Sequence, residues 1–181
     1  MEAAMKKTTK LFALGGVLVA ASACDRGPAP STSPTETTSV AKLAELARTN
    51  AVAAYRGMWE GFADAGGTSD PESQLLDQYA AGVALDKLKR SLRSDREKVL
   101  VSKGKPILDP KASDAQPADV PTRVVITDCG DSTSWLKYRK DSELLADDVP
   151  GGRRLIKAAV DKQPDGTWKV SDYAVHEIGS C

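Results

Sequence analysis

The chain predicts an α+β domain in which three helices precede a curved antiparallel sheet. Apolar residues step three and four apart from Val40 to about Lys98, and β-branched, alternating runs follow beyond Val99. Gly- and Pro-rich breaks separate these segments, and a block of helices followed by a block of strands is the α+β pattern.

Before the domain comes an address. Lys6, Lys7 and Lys10 precede an uncharged run from Leu11 to Ala23, 13 residues against the roughly 20 that span a bilayer, so residues 1–23 read as a signal peptide. Ala21-Ser22-Ala23-Cys24 resembles a bacterial lipobox, in which small residues precede a Cys that is lipidated and becomes the new N-terminus. An ordinary A-x-A cleavage site fits the same letters. Residues 24–39 favour the lipoprotein: Pro28, Pro30 and Pro34 among Ser, Thr and Gly cannot bury a core and suit a disordered tether. The domain is expected over 40–181, on the extracytoplasmic face of a cell membrane.

Val40, Leu43, Leu46/Ala47, Ala51, Ala54/Tyr55, Met58/Trp59 and Phe62 stripe one face of a long first helix, which Ala65-Gly66-Gly67-Thr68-Ser69 ends. Asp70 as N-cap and Pro71 at the first helical position open a second. Gly82 divides it from a third, about Val83 to Lys98, with Leu85, Leu88 and Leu92 inward. The strands follow at Thr122–Cys129, Thr133–Arg139, Arg153–Lys162 and Thr167–Ile178, the last pair joined by the turn Pro164-Asp165-Gly166. Pro106, Pro110 and Pro117 restrict any strand in 104–120 to an edge or a bulge. Trp168 and Val170 share one parity, Tyr173 and Val175 the other, so a bulge near Ser171-Asp172 is expected and would curve the sheet.

Composition excludes several functions. The 25 basic and 25 acidic residues balance, and removing residues 1–23 leaves a net charge of −2, against both a nucleic-acid surface and a polybasic membrane patch. A mean hydropathy of −0.33 excludes a polytopic membrane protein. One His and three Cys leave little for a metal site, and no dinucleotide or phosphate-loop motif occurs, so neither metal nor cofactor is expected. Cys129 and Cys181, an even pair in an exported domain, read as a disulfide. In a plain four-strand meander they would lie at opposite edges unless Gly179-Ser180 turned the chain back, the register shifted or the strand order differed.

The segments VVITDCGDSTSWLKYR and PGGRRLIKAAVDKQPDGTWKVSDYAVHEIGSC, with the helix–helix–helix–sheet order and a Cys-ending tail, resemble small actinobacterial secreted lipoproteins of the nuclear-transport-factor-two-like (SnoaL-like) cone fold. That resemblance implies a bent sheet wrapped by helices around a cavity. It implies no single activity, because the fold hosts both enzymes and adaptors.

Trp59, Phe62, Trp135, Trp168 and Tyr173 are the candidates for lining such a cavity. Acid–base chemistry of the kind the resemblance allows would fall to His176 or Asp172, but His176 and Glu177 are neighbours on a strand and point to opposite faces. Asp128 and Asp131 around Cys129-Gly130 read as turn formers, or as a carboxylate pair. Asp147-Asp148 reads as a solvated loop, Gly151-Gly152 as a turn, and Arg153-Arg154 as a solvated basic cluster. The expected function is a non-catalytic, lipid-anchored module that binds an envelope protein or a small hydrophobic ligand; the alternative is a SnoaL-like isomerase, cyclase or dehydratase. Cys24→Ser should abolish lipidation and leave the precursor uncleaved by the lipoprotein peptidase. Intact mass spectrometry of the membrane fraction checks this, and a membrane-bound product of unchanged mass would overturn the lipobox assignment.

Overall fold

The computed structural model describes residues 34–146 and 151–181, with side chains from Ser39 onward, so the signal peptide, Cys24, most of the tether and Asp147-Asp148 lie outside the described residues. Helix α1 spans Pro34–Gly66 and thus begins inside the stretch expected to be tether. Its buried face is carried by Ala47, Ala51, Ala54, Tyr55, Met58 and Trp59. The N-terminal end of the expected stripe departs from this: Leu43 and Leu46 are 45% and 57% exposed, while Ala44 beside them is buried. After α1 the chain tightens through a turn in which Ser69 adopts φ 54° and donates its hydroxyl to the Leu100 carbonyl.

Helix α2 is only Gln74–Tyr79, and its N-cap is Ser73 rather than Asp70. Asp70 is occupied otherwise: its Oδ1 accepts from Glu72 N–H (3.2 Å) and from Arg96 Nη2 (2.9 Å), which keeps 70–72 in a turn. Helix α3, Gly82–Glu97, turns Ala84, Leu88 and Leu92 fully inward, with Leu85 half-buried against the same core. Burial of a Leu of this kind is worth about 1.5–3 kcal/mol relative to exposure.

Six strands follow: β1 Leu100–Lys103, β2 Lys111–Gln116, β3 Arg123–Asp131, β4 Leu136–Arg139, β5 Arg153–Lys162 and β6 Trp168–Val175. They do not form the single curved, cone-shaped sheet that the bulge and the SnoaL-like resemblance implied. They divide into a two-stranded antiparallel sheet, β1-β4, and a four-stranded antiparallel sheet ordered β2-β3-β5-β6, and neither curls into a cone. The physical cause lies just after β3. Asp131 Oδ1 accepts from Thr133 N–H (2.9 Å) and Ser132 O from Trp135 N–H (3.0 Å), a tight turn that carries β4 away from β3. With β4 removed, β5 pairs directly with β3 in unbroken register from Arg123↔Asp161 to Asp131↔Arg153. The Arg123 guanidinium closes one end of that ladder on Asp161 through two bonds of 2.6 and 2.8 Å.

β2, flanked by Pro110 and Pro117, is an edge strand with a bulge at Ser113. The parity change in β6 is also resolved by a bulge: Ala159 pairs with Asp172 and Val160 with Val170, leaving Ser171 as the extra residue. Trp168, Val170 and Tyr173 therefore meet one core, which the helices cover together with Val124, Ile126, Ile156, Ala158 and Val160.

Cys129 and Cys181 form a disulfide with Cα atoms 5.9 Å apart. The chain reaches it by doubling back: His176 N–H bonds Leu155 O (2.9 Å), Gly179 N–H bonds Arg153 O (2.8 Å), and Ser180 Oγ accepts from Leu155 N–H (2.8 Å). Gly179 sits at φ 82°, a conformation that glycine adopts without the penalty of a Cβ. The tail so lies across the start of β5 toward Cys129 on β3. Replacing both cysteines by Ser should lower stability to urea by up to about 4 kcal/mol, the chain-entropy value for a separation of 52 residues. Unfolding curves with unchanged midpoint would show that the bridge constrains nothing that the β ladders do not already hold.

Candidate functional site

A cavity of about 320 Å³ opens between the two sheets beneath α1 and α3. Its wall is aromatic. Trp59 and Phe62 come down from α1, one turn apart, and Trp135 reaches up from the turn before β4. Their rings meet edge to face: Trp59–Trp135 at 6.2 Å and 88°, Phe62–Trp135 at 5.5 Å and 87°. Leu92, Pro106, Leu136, Ile156 and Val175 extend the apolar part, and Ser91, Ser102, Ser132, Lys137 and Arg154 supply the polar groups.

Of the five aromatic candidates, Trp59, Phe62 and Trp135 line this cavity. Tyr173 stands behind it, 5.4 Å from the Trp59 ring. Trp168 is placed elsewhere, buried on the sheet face next to a separate, open hollow shared with Asn50 and Tyr79.

The polar candidates are not assembled into a catalytic group. His176 is exposed beyond the end of β6. Asp172 is also exposed and is held by Lys87 Nζ at 2.7 Å, an ion pair that keeps its carboxyl below the usual carboxylate range. Asp128 and Asp131 are not a pair either. Asp128 is 2% exposed on the core face of β3, whereas Asp131, three residues on, caps the following turn. Asp128 thus is not a turn former: Oδ2 accepts from the Tyr55 hydroxyl (3.0 Å) and Oδ1 from Asp109 N–H (2.8 Å). Burial first, and then the Asp128 charge, drive the Tyr55 phenol far above its ordinary value.

Two features of the site were not read from the sequence. Asp95 on α3, itself buried, pairs with Lys137 of β4 at the cavity and ties the small sheet to the helices. Arg154, taken with Arg153 for a solvated cluster, lines the cavity, while Arg153 is exposed and donates to Cys129 Sγ (3.2 Å from Nη2). The signal was present: Arg154 shares the parity of Ile156, Ala158 and Val160, the inward face of β5.

The indole N–H groups of Trp59 and Trp135 are both shielded from solvent and have no acceptor at hydrogen-bond geometry among the described residues.

No family model matches the chain, and no curated protein matches it. Among solved structures, the intermembrane-space region of the chloroplast protein ARC6 is similar over 72% of this chain and 96% of its own, at 15% identity and a TM-score of 0.48. A likeness of that degree says nothing about what this chain does.

Burial, followed by the Asp172 charge, raises the Tyr173 phenol to about 12. A phenol whose folded value lies above its unfolded value of about 10 stabilises the fold fully below pH 10 and loses that contribution as pH rises toward about 12. Stability to urea should therefore fall across that window, and Tyr173→Phe should flatten the fall. An identical alkaline profile in the variant would show that Tyr173 ionises as freely folded as unfolded.

Proposed function

We propose that this chain is an exported, lipid-anchored binding protein whose domain holds a small hydrophobic ligand in the aromatic-walled cavity. The observation that carries the reading is the cavity itself: about 320 Å³, at the lower end of the range that small-molecule sites occupy, walled by three aromatic rings and dotted with a few polar groups. The titratable residues that acid–base chemistry would need, His176 and Asp172, stand on the surface instead. Export is supported by the signal-like N-terminus and by the Cys129–Cys181 bridge, which suits an oxidising compartment. The anchor rests on Cys24 and the letters before it.

Ser91 tests the reading without touching the aromatic wall. It is half-buried on α3, lines the cavity and makes no side-chain hydrogen bond among the described residues, so Ser91→Phe puts a ring into the space a ligand would fill. A neutral apolar dye such as phenylnaphthylamine should brighten with the parent protein and raise its melting temperature, as any ligand of the folded state does. With Ser91→Phe both effects should fall at least tenfold in dye concentration while the fold is kept. Equal binding by the two proteins would place the dye, and the function, somewhere other than this cavity.

A further inference from the structure

Resting on the cavity reading, we infer that the ligand is a small organic anion, an apolar body bearing one carboxylate or similar acidic group, and that Arg154 receives that group.

The charge of the lining is one-sided. Among the described residues Lys137 and Arg154 are its only ionisable side chains, and no described carboxylate lines it. Lys137 is neutralised by Asp95. Arg154 is held differently: its Nε donates to Gly151 O (3.1 Å) and its Nη1 to His176 O (3.4 Å), both main-chain carbonyls that orient the guanidinium without cancelling its charge. Arg154 is half-buried on the inward face of β5, two residues from buried Ile156, so its stem packs along the cavity wall while its charged head keeps access to water and to a ligand.

The surroundings leave room for a partner. Gly130 lies directly across the ladder from Arg154, on the same face. A Cβ at Gly130 would stand 2.7 Å from Ile156 Cδ1, so any larger residue would push into the cavity floor beside the guanidinium. Ser132 spends its hydroxyl proton on Gly152 O (3.3 Å), which leaves the Ser91 and Ser102 hydroxyls and the shielded indole N–H groups of Trp59 and Trp135, both without an acceptor among the described residues. These are donors, or can be, and they complement a ligand that brings oxygen acceptors. Guanidinium binds a carboxylate with paired N–H donors, which adds geometric selection to charge. The apolar body then meets the edges and faces of Trp59, Phe62 and Trp135.

Two dyes with the same skeleton separate charge from hydrophobicity: anilinonaphthalene sulfonate, which is an anion, and phenylnaphthylamine, which is neutral. The purified chain, its disulfide intact, should bind the sulfonate at least about tenfold more tightly, the increment expected of one charge-assisted hydrogen-bond pair. Arg154→Gln should remove that preference and leave the neutral dye within twofold. Arg154→Lys should restore part of it. Should the Gln variant fail to fold, added salt provides the same separation on the parent protein, weakening the sulfonate and not the neutral dye. Displacement of the sulfonate by naphthoate, but not by naphthamide, extends the result to carboxylates. Equal affinity for both dyes, unmoved by Arg154→Gln and by salt, would overturn the anion assignment while leaving an apolar binding site in place. Failure of both dyes to bind would instead remove the cavity reading itself.

Discussion

The architecture turns on one buried carboxylate. Asp128 lies on the core face of the central strand β3, and its two oxygens are satisfied by partners from different parts of the chain. The Tyr55 hydroxyl comes from the middle of α1 and the Asp109 amide from the segment leading into β2. A buried acceptor costs free energy unless its bonds are made, so helix, strand and connection must be docked in one arrangement for the core to close. That arrangement sets the roll of α1. With Tyr55 pointing at β3, Trp59 and Phe62 follow one and two turns later along the helix, and this places their rings over the space between the sheets. The cavity wall is thus downstream of a polar contact that is not part of it.

The second organising choice is the early departure of β4. Its removal lets the two longest strands, β3 and β5, zip together over nine residue pairs and form the rigid floor of the site. The displaced strand finds β1 instead, and the pair is too short to hold itself in place. Asp95 and Lys137 supply the missing tie by joining α3 to β4. The cavity is the gap that this division leaves, bounded on one side by a long ladder and on the other by a small ribbon pinned to a helix.

Much of this could be read from the letters. The apolar spacing located α1 and α3, alternation located β3, β5 and β6, the prolines restricted any strand in 104–120 to an edge or a bulge, and the parity slip placed a bulge near Ser171-Asp172. The split into two sheets was not legible, because β1 and β4 are four residues each and carry too little alternation to announce a partner. Short polar residues misled twice: Asp70, read as a helix N-cap, holds a turn and an Arg instead, and Asp128, read as a turn former, accepts from a buried Tyr. Leu43 and Leu46 fit the helical period but stand exposed among the described residues, which periodicity alone does not reveal. Arg154 was missed because a basic doublet reads as solvent-facing, although a strand must send its two members to opposite sides.

The bulge at Ser171 has a meaning of its own for how this site is written in the chain. Downstream of it, the residues that face inward are chosen by counting, not by chemistry: one residue fewer would exchange Tyr173 and Val175 for their neighbours on the inner surface. The information that brings a ring behind Trp59 and a methyl-bearing side chain to the cavity mouth is therefore stored in the length of the strand. Ser171 could change identity and leave the site standing, but the position it fills could not be deleted. A strand built this way tolerates substitution and is brittle to deletion.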